Sequence, residues 1–411
     1  MTTMKRLNLS YRLTALLVFI FIISFSCKEK SSTETGAFFT IPFSEIIKDQ
    51  REVRLSEFAK DVQIVPLENS TKALLGKFES IAVTKDYIFV MCWNRPILQF
   101  SHDGKLIREI GGIGKGPEEY IFCLNMSIDE KHERVYIQTP QMSVKVFDFK
   151  GEYVEAIKIT GMRPYFWGRD SLLVSYCEPV SGSEQFVFTE YNGPSDTVQG
   201  VPNYIVYDSD ERADPFHMSP FDEQNFSYRF AGRLHLKGCY NDTVYWYDAN
   251  NKIVPKFFID LKEYKLPGDL IYERKWHRTL SHDLCWTGVH ETSDYIFIPY
   301  GYHYNLNKPE SKKEEKGYVL FNKKTNDGVA VQESLTGGFV DDINGGPDFR
   351  PNVINDNSAV MLVSALEMKQ YLDSEPFKSR EVKSPEEKEK LNQLKETLKE
   401  DDNHVLVIVK F

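Results

Sequence analysis

The chain has 411 residues, 41% of them apolar, enough to bury a sizeable core, and a net charge of −10. The acidic balance argues against nucleic acid as a partner, because phosphate binding needs a basic face. Its six cysteines are spread singly with no C-x-x-C pair, so a disulfide framework is not expected and most should be small buried residues in strands.

Residues 1–26 read as an export signal. Lys5, Arg6 and Arg12 make a basic start, and the apolar run 13–25 is too short for the about 20 residues a spanning helix needs. Small Ser26 before Cys27 suits a lipoprotein cleavage site, with Cys27 then acylated, although Ser24 stands where leucine is usual. An ordinary secretory signal cut nearby is the alternative. Removing 1–26 takes three cations and no acids, which moves the net charge from −10 to −13. Residues 27–40, with the polar stretch KEKSSTETG, read as a flexible tether, and 41–411 as the domain.

The domain repeats. Phe100, Gly104 and Ile88–Val90 return as Phe147, Gly151 and Val135–Ile137, each 47 residues later. Asp103-Gly104 and Lys150-Gly151 sit where a hairpin needs positive φ, which glycine supplies. The flanking runs 106–110 and 153–159 have the apolar, often β-branched character of strands. A period of about 40–50 residues with four short strands per unit is the pattern of a β-propeller blade.

Looser copies follow. A third unit runs 172–191 and turns at Asn192-Gly193; a fourth runs from Leu234 through 243–248 and turns at Asn250-Asn251. A fifth starts at 296–300, resumes at 318–321 and turns near Asn326-Asp327-Gly328. A sixth starts at 359–363 and ends in the C-terminal strand 405–411. The expected fold is therefore all-β, a six-bladed propeller with short helical insertions and a helix before the closing strand. One insertion is expected over 267–280, entered at Pro267. The other spans 384–399, with Ser384 as N-cap, Pro385 in the first turn, Glu387 completing a capping box, and Leu391, Leu394 and Leu398 on one face. To leave no open edge, strands 62–67 and 405–411 should share the closing blade, with 359–363 between or beside them.

The run Ile110–Tyr120, IGGIGKGPEEY, resembles the "iGr.GqGPgEy" segment of six-bladed β-propeller lipoproteins of Bacteroidota, a family similar to TolB-like and NHL-like propellers. Residues 55–62, 64–68, 241–245, 339–349 and 400–411 resemble further blocks of it, with His404 in place of the usual proline. The resemblance covers about residues 45–411. It implies an outer-membrane lipoprotein, periplasmic or surface-exposed, and no established reaction. Acidic residues after the lipidated cysteine can favour surface display in these bacteria, and Lys28-Glu29-Lys30 holds one acid.

Several groups are candidates for chemistry. Gly111–Gly116 lacks the Ser or Thr and the helix of a phosphate-binding loop, so a turn between blades is the expectation. His277, His282 and His290 with Asp283 form the densest histidine cluster, but their spacing completes no ligand set, and no metal or cofactor is expected. Asp341, Asp342 and Asp348 around Gly345-Gly346-Pro347 read as turn caps. Arg163, Tyr165, Trp167 and Arg169, in what reads as a long connection leaving the second blade, pair aromatic faces with guanidinium groups and are the expected ligand contacts. Arg95 in the 94–96 turn joins them. The chain is expected to act as a monomeric binding or scaffold module for a glycan, peptide or envelope protein, attached to the membrane through its N-terminal lipid. The rival reading is a glycan lyase or hydrolase with its active site at the channel mouth.

Overall fold

The computed structural model describes residues 38–140, 143–159, 165–170, 172–177, 184–192, 196–204, 227–238, 241–265, 285–302, 316–331 and 338–411. Six antiparallel sheets, each a meander of four strands lettered A to D from the axis outward, make a six-bladed β-propeller. Blade 1 consists of Phe78–Val83, Tyr87–Cys92, Ile97–Ser101 and Leu106–Ile110, and blade 2 of Asn125–Asp129, Arg134–Thr139, Ser143–Asp148 and Tyr153–Lys158. Blade 3 is Tyr165–Arg169, Leu172–Tyr176, Phe186–Tyr191 and Thr197–Pro202, and blade 4 is Ser227–Phe230, Arg233–Lys237, Thr243–Tyr247 and Ile253–Ile259. Blade 5 has a broken A strand, Cys285–Thr287 and His290–Glu291, followed by Tyr295–Tyr302, Lys316–Asn322 and Asp327–Val331. Blade 6 joins Val353–Ile354, Ser358–Val363 and Val405–Lys410 to Asp61–Pro66 from the other end of the domain.

The ring closes as the sequence suggests. Val405 faces Pro66 and Lys410 faces Asp61, with Ser358–Val363 on the other side of the C-terminal strand. Blade edges beyond the closure are also covered. Phe39–Ile41 runs parallel to Phe257–Ile259 on the rim of blade 4, and Gln50–Arg51 runs parallel to Ala330–Val331 on blade 5. The segment before blade 1 thus straps the outer edges of three successive blades, hiding backbone groups that would otherwise template association. Its first strand begins within the stretch read as tether.

Middle strands are buried on both faces and read as continuous apolar runs, as in Tyr87–Cys92 and Val405–Lys410, while the outer Tyr153–Lys158 is half in solvent. The 47-residue repeat is the spacing of blades 1 and 2. Gly104 and Gly151 take φ of +81° and +84° in their C–D turns. At Gly104 a side chain would also meet the Pro66 carbonyl of blade 6, at 2.5 Å. The glycine-rich exit from blade 1 turns back on itself, pairing Gly112–Ile113 with Glu119–Tyr120. This plugs the Tyr120 ring between blades 1 and 2, where its hydroxyl accepts from Ile97 N and donates to the Ile110 carbonyl. Glu119 accepts from Gly116 N, 2.8 Å away, and so closes its own turn.

Four elements differ from the sequence reading. Tyr165–Arg169, read as a connection, is the innermost strand of blade 3; its aromatic residues favour a strand, and Gly168 lets the Tyr136 ring of blade 2 lie against it, where a Cβ would come within 2.1 Å. Ser227–Phe230 and the split A strand of blade 5 likewise precede the expected starts of those units. The helix Pro385–Thr397 forms and buries Leu391, but the Ser384 side chain makes no cap bond, and Glu387 pairs with Lys390 instead. The capping box falls at Ser364–Glu367, heading the helix Ala365–Asp373, which lies between two strands of blade 6. The expected 267–280 helix lies outside the described residues.

The late loop is a structural joint. Asp341 is fully buried and accepts from the backbone of Ile343, Asn344 and Gly346. Asp342 accepts from Ser56 N and its hydroxyl, and Asp348 pairs with Arg380 at 2.8 Å. These carboxylates cap turns and tie the strap to the helices.

Candidate functional site

A four-stranded antiparallel blade puts its A–B and C–D turns at one end of the ring, and its B–C turns and D-to-A connections at the other. The two ends differ in chemistry.

At the A–B end, blade is stitched to blade. Lys85 N of blade 1 donates to Glu130 Oε1 of blade 2 (2.6 Å), and Lys131 Nζ of blade 2 donates to Asp170 Oδ1 of blade 3 (2.9 Å). Arg229 of blade 4 donates to the Gly168 carbonyl of blade 3. Ala231 N of blade 4 donates to Asp356 Oδ2 of blade 6, 2.9 Å away, a bond between blades that are not neighbours. Burial, then Glu291 and Glu130, hold the Asp356 carboxyl above the usual carboxylate range against the pull of that bond. His132 Nδ1 lies 2.9 Å from the buried Asp129 Oδ2, and its Nε2 lies 3.7 Å from Asp170 Oδ1. Both ring nitrogens face carboxylates, so this imidazole bridges blades 2 and 3.

The blade 4–blade 5 seam carries a denser network. Glu291 Oε2 accepts from Lys256 Nζ (2.8 Å) and the Tyr228 hydroxyl (3.1 Å), and Oε1 accepts from Lys323 Nζ (2.9 Å). Lys256 also donates to His235 Nε2 (2.9 Å), so the proton of that ring sits on Nδ1 and bonds the Arg233 carbonyl. Burial, reinforced by the Lys256 ammonium, holds His235 well below the ordinary histidine value. Burial beside Glu291 pushes the Tyr228 hydroxyl well up. Every charge here has a partner, as a buried ionic group requires.

Arg169 belongs to the same structural class. It is buried, donates Nε to Glu190 Oε1 (2.7 Å), and lies 4.1 Å over the Tyr247 ring of blade 4. Gln199 bridges Glu190 to the Asn251 carbonyl and completes the weld of blade 3 to blade 4.

The B–C end carries aromatic surface. Tyr165 and Trp167 are half-buried on the innermost strand of blade 3, on the face turned toward blade 4. Their rings are parallel within 10° and 6.5 Å apart, the two-residue pitch of a strand. Phe188 packs on Trp167, and Tyr176 on Tyr165, both at 6.3 Å. Tyr204, just past the D strand, is 45% exposed. On blade 1, Trp93 is 45% exposed and packs on Phe122 at 5.0 Å, with Ile121 and Leu124 exposed nearby in the chain. Arg95 stands in that turn, donating to the Lys72 carbonyl at 3.0 Å and lying 3.7 Å from Glu109.

The structure therefore groups Tyr165 with Trp167, commits Arg169 to a seam, and leaves Arg95 on a different blade; Arg163 lies outside the described residues. Trp93, Phe122 and Tyr204 were missed. The signal for Trp93 was present, an aromatic directly ahead of a B–C turn. Of the histidine cluster, His277, His282 and Asp283 lie outside the described residues. Among the described residues no group of three His, Cys, Asp or Glu is placed to hold a metal ion, and no helix is long and apolar enough to cross a membrane.

The class these observations define is a closed six-bladed propeller, stitched by charge at one end and lined with aromatic side chains at the other. Comparison of the sequence with family models places it more narrowly. The chain belongs to the family described as a domain of unknown function, DUF4934, whose model matches residues 38–410. Comparison with curated proteins gave no match. Among solved structures, a protein of Bacteroides fragilis described as exported shares the fold, with a TM-score of 0.66, 15% identity, and coverage of 91% of this chain and 99% of that one. A member of the DUF4221 family from Bacteroides vulgatus is similar more distantly, with a TM-score of 0.45, 13% identity, and coverage of 66% and 84%.

Proposed function

We propose that this protein is an extracytoplasmic binding module, a monomer held in the bacterial envelope by a lipid on Cys27, that takes its ligand at the B–C end of the ring. The observation that carries the reading is the Tyr165–Trp167 ladder. Two half-exposed rings occupy the innermost strand at the end where inter-blade loops converge, while the charged groups of the A–B end are spent on one another. Apolar ring faces beside a few polar groups are the usual composition of a small-ligand site. A glycan fits this chemistry best. The Trp93–Phe122 pair with exposed Ile121 and Leu124 favours a second reading, a peptide or envelope-protein partner on blade 1.

A thermal-shift screen of the full chain in detergent, against oligosaccharides and peptides, tests the reading. Each mixture would also be checked for cleavage products. The expected result is stabilisation without products, lost in Trp167→Ala. Cleavage products would replace the binding reading with that of a glycan-processing enzyme.

A further inference from the structure

Resting on the B–C-end reading, we infer that the ligand is an acidic saccharide whose carboxylate is bound by Arg229, in the channel below the Tyr165 and Trp167 rings. The innermost strands of blades 3 and 4 alternate. Tyr165, Trp167, Ser227 and Arg229 keep part of their surface, while Phe166, Gly168, Tyr228 and Phe230 are buried. The two open faces meet across one gap. On blade 3, Phe166 and Gly168 pack against the Tyr136 ring of blade 2, so Trp167 looks the other way, toward blade 4. On blade 4, Tyr228 bonds Glu291 of blade 5, so Arg229 looks back toward blade 3. There its Nη2 donates to the carbonyl of Gly168, the residue after Trp167. The order down the channel is thus Tyr165, Trp167, then the Arg229 guanidinium.

The charge of Arg229 is not balanced by the fold. Among the described residues it forms no ion pair, and the Gly168 carbonyl is its one acceptor. The carboxylates whose fields reach it are engaged elsewhere: Asp129 with His132 at 2.9 Å, and Asp170 with Lys131 at 2.9 Å and Arg169 at 3.0 Å. Burial accordingly holds Arg229 below the ordinary arginine value despite those fields. A guanidinium has five N–H donors in a planar fork, so one bond leaves a two-donor edge unused. None of its nitrogens is both buried and unbonded, so the unused donors open onto solvent and not onto packed protein. A carboxylate supplies two coplanar oxygens for that edge and the single negative charge the cation lacks; a phosphate would bring close to two. The pyranose that carries the carboxylate offers its C–H face to the rings above.

The test is titration calorimetry of the full chain in detergent with hexagalacturonate, a hyaluronan hexasaccharide and, as the neutral control, maltohexaose. At least one of the two acidic chains should bind about tenfold or more tightly than maltohexaose, a comparison that needs no variant. Arg229→Gln keeps an amide donor for the Gly168 carbonyl and removes the charge, and should bring the acidic chain down to the maltohexaose level. Arg229→Lys keeps the charge and loses the fork, and should lie between. Equal affinity for acidic and neutral chains, or wild-type affinity in Arg229→Gln, would overturn the carboxylate subsite. If Trp167→Ala then still weakens binding, the B–C-end reading stands without it; if not, both fall. Binding of none of the three would overturn the acidic-saccharide assignment.

Discussion

The two ends of the ring use the same strands for opposite purposes. At the A–B end, Glu130, Asp170, Asp356 and Glu291 each meet a donor from another blade. At the B–C end, Tyr165 and Trp167 stand half-open, and Trp93 and Tyr204 face solvent. Polar groups close to the axis therefore need not mark a binding site, because in a propeller they also replace apolar packing between blades. The informative residues are the rings that the fold leaves partly exposed.

Substitutions can break this contrast from either side. The largest effect is expected from Glu291→Ala, which leaves Lys256 buried with no carboxylate and should cost about 3–5 kcal/mol in a urea titration, with no loss of ligand affinity. Acid should act on the same seam. His235 is held below its unfolded value, so its contribution is fully present above about pH 6.5 and declines below it, because only the unfolded chain then takes up the proton. Stability should fall by about 1.4 kcal/mol per pH unit from this group as pH drops below that value, and His235→Asn should flatten the profile. A profile already flat in the wild type would mean that His235 does not distinguish the folded from the unfolded state.

Smaller effects sharpen the comparison. Asp356→Asn keeps an acceptor for Ala231 N and removes a charge that burial, Glu291 and Glu130 disfavour, so thermal melts should show a change of no more than about 0.5 kcal/mol or a small gain. On the other side, Trp93→Ala removes an exposed ring and should change stability by no more than about 0.5 kcal/mol. A Trp93→Ala loss of several kcal/mol would show that the aromatic end is part of the core, and the contrast would be gone.

Much of the ring was legible because its signals are local. Phe100 and Phe147 fill equivalent places in neighbouring blades, and Gly104 and Gly151 mark equivalent turns, so a single spacing exposes the repeat. The pairing of 405–410 with 61–66 followed from the need to close the sheet. What stayed hidden depends on partners distant in sequence. Lys256 reaches His235 over 21 residues and Glu291 over 35, and nothing in the local pattern couples them. Tyr165–Arg169 was read as a connection, yet its Gly168 answers to the Tyr136 ring of the preceding blade, a partner that the local pattern does not name. Arg169 looked like a ligand contact for the same reason that it makes a good weld: guanidinium groups suit carboxylates and ring faces alike, and Glu190 and Tyr247 supply both. Ser384 and Ser364 carry the same capping pattern, and only the second uses it. Ser384 N is instead drawn to the Ile343 carbonyl, and the residue's backbone takes a different angle.

The most direct test compares one residue from each end by calorimetry of the full chain with the oligosaccharide that stabilises it most in the thermal-shift screen. The account predicts that Trp167→Ala weakens binding about tenfold while Asp356→Asn binds as the wild type does. Weakened binding in Asp356→Asn with Trp167→Ala unaffected would contradict it and move the ligand to the charged end of the ring.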